Sequence, residues 1–331
     1  MKTFDLKTKL LALLKEADKH LSGQELCEEF GVSRTAVWKA IKQLKEEGYE
    51  IEAVQNKGYY LKDSPDILSF SEIKTALRTK WTGRDLYYFD KIDSTNKKAK
   101  QLAEEGAEAG ALVVANMQTG GKGRRGRTWE SPEDTGVFMT LVLKPEISPL
   151  KASMLTLVMA LAVVKACTEV TDLPCFIKWP NDIVLNGKKL CGILTEMSAE
   201  LDYINHVVIG VGINVNATSF SEELKEKATS IKMEKGKAVN RAGLINKILL
   251  HFEEEYDIFM KEENLSLQQE EYNKLLINCE KEVIIAQTQQ SYTGIAKGIN
   301  EKGELLVLRE NGQIETVFAG EVSVRGIYGY V

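Results

Sequence analysis

The stretch GGKGRRGRTW, residues 120–129, sets four glycines and four cations, Lys122, Arg124, Arg125 and Arg127, ahead of a tryptophan, Trp129. It stands in a chain of 331 residues whose 43 Lys and Arg are outnumbered by 48 Asp and Glu. Gly121, Gly123 and Gly126 satisfy the GxGxxG spacing of a dinucleotide-binding turn. That turn works only where a helix follows at once, because the helix N-terminus receives the pyrophosphate. Here Pro132 and Asp134 lead instead into TGVFMTLVL, 135–143, a run that reads as a strand. Neither GxxxxGKS nor GxxxxGKT occurs. A dinucleotide-binding fold and a P-loop are therefore excluded. Glycines let backbone N–H groups approach an anion closely, and the cations neutralise it, arginine with a planar fork matched to phosphate. Four like charges on so short a loop repel one another. The loop is expected to be mobile until a small polyphosphate ligand settles it.

Outward from the loop, strands dominate. LYYFDKI and ALVVANMQ (111–118) lie before it; CFIKWP, IVL, KLCGILTEM and HVVIGVGINV follow. A helix capped by Ser94 or Thr95 runs to Gly106, and another spans 151–170. Asn186-Gly187 is a strong hairpin signal. Short turns between strands predict a mostly antiparallel sheet and an α+β domain. KWPND (178–182) ends a strand with Lys178, Asn181 and Asp182; Lys188, Lys189 and Glu196 lie beyond the hairpin. Gly210 and Gly212 leave room for something flat or bulky against the strand backbone. Singly, Asp182 could cap a turn and Lys189 could be solvated. Together with the cationic loop they form a constellation for phosphate and Mg2+.

The first sixty residues differ. LKTKLLALLKEA carries helical spacing, Ser22 with Glu25 forms a capping box, Gly31 makes a turn, and Ser33 caps a third helix, 34–47, closed by Gly48. Val37, Ile41 and Leu44 are its inner stripe. IEAVQNKGYYL then reads as two strands with Asn56, Lys57 and Gly58 at the bend. Residues 1–62 hold eleven Lys and Arg against ten Asp and Glu, but Arg34, Lys39, Lys42 and Lys45 all precede the third helix's first acid, Glu46. The second helix carries Glu25, Glu28 and Glu29. That polarity suits a helix-turn-helix whose second helix enters the major groove. Ser33, Arg34, Thr35, Lys39, Lys42 and Lys57 are the candidate DNA-binding residues; Trp38 belongs either to the groove face or to the core. KDSPDILS, 62–69, with Pro65, is the candidate linker.

The start, MKTFDLKTKL, lacks an apolar run, and the apolar stretch 152–164 falls short of the roughly 20 residues of a membrane span. It reads as a buried helix. Five cysteines form no CxxC pair and three histidines are scattered, so a reduced, cytoplasmic protein without a zinc site is expected.

DSTN (93–96), QTGGKGRRGRTW (118–129), KWPNDIVLNGKKLCGILTE (178–196) and VVIGVGINVN (207–216) resemble the motifs of the biotin–protein ligases. With the N-terminal helix-turn-helix, the chain is similar to the bifunctional members, which also repress biotin genes. The resemblance covers nearly the whole chain. It implies an α+β multidomain fold: a winged helix-turn-helix (1–63), a linker and connecting helix (64–80), a catalytic domain with a mixed sheet of the class II aminoacyl-tRNA synthetase and biotin ligase kind (81–275), and a small C-terminal β-barrel (276–331). It implies Mg-ATP-dependent formation of biotinyl-adenylate. Biotin then passes to a lysine of the biotin carboxyl carrier domain of acetyl-CoA carboxylase.

By the same resemblance, Ser94, Thr95, Asn96 and Gln118 would bind biotin with Gly121, Lys122, Gly123, Arg124 and Lys189, while Gly192 and Gly210 give it room. Arg124, Arg125, Arg127, Trp129, Lys178, Asn181 and Asn214 would contact the nucleotide. Lys189, Lys122 and Asp182 would be catalytic, Asp182 also orienting Mg2+ or the incoming lysine. The polar, lysine-rich stretch 228–241 would be a mobile loop over the adenylate. Operator DNA, a homodimer when adenylate-bound and no membrane are the implied partners. Lys122 stands where the family often has arginine; it keeps the charge but loses the fork, so the loop is expected to order less readily. A lipoate ligase, a ligase without operator binding and a non-catalytic sensor are the alternatives.

Overall fold

A computed structural model describes residues 6–54, 57–63, 66–286, 291–319 and 323–326. Asn56 of the expected hairpin bend, Pro65 of the expected linker, and residues 287–290, 320–322 and 327–331 of the C-terminal segment lie outside the described residues. The chain forms two compact units: Met1–Leu77 with Asn240–Asn246, and Arg78–Val239 with Lys247–Val331.

The first unit holds α1 (Leu6–Glu16), α2 (Gly23–Phe30), α3 (Arg34–Glu46), a hairpin of β1 (Glu50–Val54) and β2 (Gly58–Asp63), and α4 (Phe70–Ala76). Local chemistry sets the helix ends. Ser22 Oγ accepts from Glu25 N–H while Glu25 accepts from Ser22 N–H, the reciprocal capping box. Gly31, at φ 61°, ends α2 in the left-handed region. Ser33 caps α3, and Glu47 ends it with Gly48 one residue further on, at φ 100°. Leu10, Leu11, Leu14, Leu26, Val37, Ile41 and Leu44 form the core. Gly58 is required: at φ 107° a Cβ there would meet Leu21 O at 1.9 Å, where Leu21 and Tyr59 exchange two 2.8 Å backbone bonds. Glu72 is fully buried and accepts from Lys15 and the Tyr49 hydroxyl; burial, and next the Glu72 charge, push Tyr49 well up. Arg241, also fully buried, donates from its Nε to Asp66 Oδ2 at 2.6 Å.

The second unit is built on β3 (Leu86–Ile92), β4 (Leu112–Gln118), β5 (Gly136–Leu143), β6 (Cys175–Lys178), β7 (Asp182–Leu185), β8 (Lys188–Ala199) and β9 (Ile204–Asn214). Their order is β3-β4-β5-β9-β8-β7-β6. β3 and β4 pair in parallel and the other ladders are antiparallel, a mixed sheet. The parallel pair follows from the crossover helix α5 (Thr95–Glu104), whose Ala99, Leu102 and Ala103 pack on Val113, Val142 and Val208. Ser94, rather than Thr95, is its cap. Asn186 (φ 49°) and Gly187 (φ 77°) turn β7 into β8 with two left-handed residues, as the Asn-Gly pair demands. α6 (Met154–Thr171) follows a 3-10 turn at Pro149–Lys151. Together they are long and apolar enough to cross a membrane, but α6 is buried along most of its length in this unit.

α7 (Ile231–Lys235), α8 (Arg241–Glu262) and α9 (Gln269–Leu275) follow. The stretch read as a loop, 228–241, is therefore part helix. Ser230 caps α7, and Ala228, Thr229, Ser230 and Ile231 are buried. Lys232, Lys235 and Lys237 masked this; Lys237 is exposed, whereas Lys235 is partly covered and donates to Val170 O and Asp172. Glu253, on α8, gathers N–H bonds of 2.7–2.8 Å from Lys80, Trp81 and Thr82. β10 (Glu282–Ala286), β11 (Ser291–Ile299), β12 (Leu305–Leu308), β13 (Ile314–Val317) and β14 (Ser323–Gly326) make an antiparallel C-terminal sheet in the order β13-β12-β11-β10-β14.

Candidate active site

The start of α5 lies over the sheet with its polar side chains directed into one network. Gln118 Oε1 accepts from Thr95 N–H (2.8 Å) and from Thr95 Oγ1 (3.1 Å), and its amide donates to Ser131 Oγ at 2.9 Å. Thr140, fully buried on β5, donates toward Thr95 Oγ1 (2.9 Å) and Asn96 Oδ1 (2.8 Å). Asn96 in turn donates to Glu196 Oε2 at 2.8 Å, and Lys100 pairs with Glu196 at 2.6 Å. Burial works against the Glu196 charge, but Lys100, Asn96 and the nearby charge of Lys122 outweigh it and hold the carboxyl below its usual range. Gly210, opposite Thr140 in the ladder, is what makes this possible. A Cβ there would meet Asn96 Oδ1 at 1.9 Å. The room at Gly210 is thus taken by the Asn96 amide.

The cationic loop leaves β4 and returns through a bridge between Lys122 and Thr128. Gly123 N–H donates to Arg127 O (2.7 Å) and Trp129 N–H to Gly121 O (2.9 Å). Arg125 sits in the left-handed region at φ 57°. Arg125, Arg127 and Lys122 are exposed. Arg124 turns the other way: Nη1 donates to Asn181 Oδ1 (2.9 Å) and Nη2 to Ala319 O (2.5 Å). Burial first, then the like charges of Arg125 and Arg127, lower the Arg124 guanidinium below its ordinary value against the opposite pull of Asp182.

Trp129 carries the loop onto the sheet. Its indole lies where a Cβ on Gly212 would sit, 2.6 Å away, and 3.0 Å from a Cβ on Gly192. The flat group anticipated at Gly212 is this side chain. Its Nε1 is buried without a hydrogen-bond partner among the described residues. Lys189 Nζ stands 5.4 Å from the ring centroid and 2.6 Å from Asp182 Oδ1. Asp182 faces Gly192 across the β7–β8 ladder, and Lys178, nearly buried, faces Asp182 across β6–β7. Asn214 closes β9 opposite Gly136.

The fold thus joins Thr95, Asn96 and Gln118 in one network, Arg124 to Asn181, and Lys189 to Trp129 and Asp182, while the Ser94 hydroxyl caps α5. Thr140, Ser131 and Lys100 were missed by sequence. Thr140 left one signal, a lone hydroxyl inside the apolar run GVFMTLVL, which when buried must find a partner. Among the described residues no three His, Cys, Asp or Glu side chains converge as a metal-holding group. In the first unit Arg34, Thr35, Lys39, Lys42 and Lys57 are exposed, Ser33 is the α3 cap, and Arg34 donates to Gln24 Oε1 at 3.0 Å.

These elements define a class of enzyme. Residues 88–214 match the Biotin/lipoate A/B protein ligase family, residues 7–60 an HTH domain, and residues 279–325 the Biotin protein ligase C terminal domain. Biotin protein ligase from Aquifex aeolicus in complex with biotin and ATP superposes with a TM-score of 0.65 at 32% identity, covering 73% of this chain and 99% of that one. The bifunctional ligase/repressor BirA of Bacillus subtilis is 42% identical over 96% of this chain and 98% of its own. That of Escherichia coli is 30% identical over 98% and 99%. The chain belongs to the family of bifunctional BirA ligase/repressors.

Proposed function

We propose that the protein joins biotin to ATP as biotinyl-adenylate, transfers biotin to a lysine of the carrier domain of acetyl-CoA carboxylase, and represses biotin genes at an operator. The observation that carries this is Lys189: its ammonium, 2.6 Å from Asp182 and beside Trp129, is held next to a loop of four cations. In the first step a carboxylate oxygen attacks the α-phosphorus and pyrophosphate leaves. Two anions must meet, and fixed cations offset their repulsion. Lys189 is the group placed to stabilise the charge that develops. Thr95, Asn96 and Gln118 form the polar surface suited to the biotin ring system. Lys122, Arg125 and Arg127 close on the phosphates and shield the mixed anhydride from water. Lys122→Arg is then expected to tighten biotin binding; unchanged affinity counts against this role for the loop.

In the second step the acceptor amine attacks the acyl carbon and AMP leaves. A free lysine has a pKa near 10.4, so the carrier's lysine must shed a proton, and the Asp182 carboxylate is the group proposed to accept it. Mg2+ takes one or two carboxylates together with phosphate oxygens, and Asp182, only partly buried, fits that role. The ion supplies charge neutralisation at the phosphates. Incubating the protein with biotin, Mg-ATP and a carrier domain tests the whole reading. A mass increase with biotin and none with lipoate supports it; no adduct with either sinks it.

The parts would serve as 1–63 for DNA, 64–80 as connector, 81–275 for catalysis and 276–331 as a C-terminal cap, in a cytoplasmic protein. The reading includes a homodimer favoured by the adenylate. β7 pairs with β8 only to Gly192 and Asn181 bonds Ile193, so residues 194–199 have no strand on that side among the described residues. Met197, Leu201 and Tyr203 are exposed nearby. Sedimentation with biotin and ATP should show a dimer that Met197→Glu weakens; a monomer throughout argues against it.

A further inference from the structure

The exposed face of α3 holds a residue that charge does not explain. Val37, Ala40, Ile41 and Leu44 form the buried stripe, and Arg34, Thr35, Lys39, Lys42 and Lys45 lie exposed. Among those cations stands Trp38, with 54% of its surface exposed. The sequence left Trp38 open between groove and core; the structure removes it from the core. Lys42 Nζ lies 5.7 Å from its ring centroid, so the indole and the ammonium share one side of the helix. Gln24 on α2 holds Arg34.

We propose that Trp38 is a specificity-determining residue for DNA, reading the apolar C5-methyl edge of a thymine in the major groove. The inference rests on the operator-binding reading above. Indole offers one N–H donor and a large apolar surface, so it is poorly suited to phosphate oxygens. It is well suited to the one apolar feature of the major groove, the thymine methyl. Its position, in the first half of the second helix of a helix-turn-helix, is where side chains reach base edges. The surrounding lysines and arginine draw the phosphates and bring the indole to the bases.

The test uses the full chain with biotin and Mg-ATP. Wild-type protein enriches its binding site from a random duplex library. Affinity is then measured for that duplex, for a scrambled one, and for versions with single thymines replaced by uracil, which removes the methyl alone. Wild type is expected to lose about fourfold at one uracil position per half-site, the worth of one buried methyl. Trp38→Ala is expected to lose that discrimination, binding thymine and uracil duplexes alike, with its salt dependence unchanged. Trp38→Phe should retain part of it. Lys42→Ala should weaken selected and scrambled duplexes equally and lower the log–log salt slope by about 0.9. Unchanged affinity of Trp38→Ala for the scrambled duplex establishes that its DNA-binding unit is folded. If Trp38→Ala still discriminates the methyl and the selected site as wild type does, the proposal is overturned. If wild type enriches no duplex, the operator-binding reading itself fails and takes the proposal with it.

Discussion

Lys189 and Asp182 form an ion pair of 2.6 Å, on adjacent strands joined by the Asn186-Gly187 turn. The pair is partly exposed, with 26% and 16% of the two side chains accessible. Its removal should therefore leave the fold intact and act on the chemistry. Lys189→Ala is expected to slow biotin-dependent pyrophosphate exchange by a factor of 100 or more, the usual cost of losing one positioned charge. Asp182→Asn should slow transfer to the carrier by 10²–10⁴, as loss of a general base does, and slow exchange less, because phosphate oxygens and water still hold Mg2+. Equal damage to both steps by Asp182→Asn would remove its separate role in transfer.

Gly210 has space for no side chain because Asn96 fills it. Gly210→Ala should expel the Asn96 amide, break its bond from Thr140 and cost about 1–3 kcal/mol as overpacking does. The Kd for biotin is expected to rise while the Kd for ATP holds. Isothermal titration with each ligand checks this, and equal weakening of both would refute the division of the site.

Glu253 sets a pH dependence. Burial alone would raise its carboxyl, but N–H groups of Lys80, Trp81 and Thr82 and the Thr82 hydroxyl lower it below the ordinary range. A carboxyl depressed in the folded state contributes stability that is complete above its unfolded pKa, about 4.3, and is lost as pH falls through the folded value. Glu253→Gln should destabilise the protein at pH 7 by roughly 1.5–3 kcal/mol and flatten the acid limb of stability between pH 5 and the folded pKa. Urea melts across that range measure it; an unaltered acid limb would show that other carboxylates govern it.

Asp66 and Arg241 are joined by Nε–Oδ2 and backbone N–H–Oδ1 bonds of 2.6 and 2.8 Å, with Arg241 wholly buried. Asp66→Ala removes the carboxylate paired with a buried guanidinium and should cost about 3–5 kcal/mol. Pairing it with Arg241→Met should return much of that loss. A double variant no more stable than Asp66→Ala would mean that the charge is not the cause.

Features that depend on near neighbours were legible in the residues themselves. Ser22 with Glu25, Gly31, Ser33 and Asn186-Gly187 act over one to four residues, so their caps and turns could be read directly. The motifs around Lys122, Asp182 and Gly210 likewise pointed to a candidate site and its charge. What each group touches emerged in the folded chain alone. Gly210 serves Asn96, Gly212 serves Trp129, and Arg124 spans from Asn181 to Ala319. The same holds for Thr140, hidden in an apolar strand, for Trp38, turned out of the core, and for the buried anchor inside the lysine-rich stretch 228–241. The physical reason is one of range: caps and turns are closed by bonds within a few residues, whereas these contacts exist only after sheet register and helix packing bring distant residues within hydrogen-bond reach.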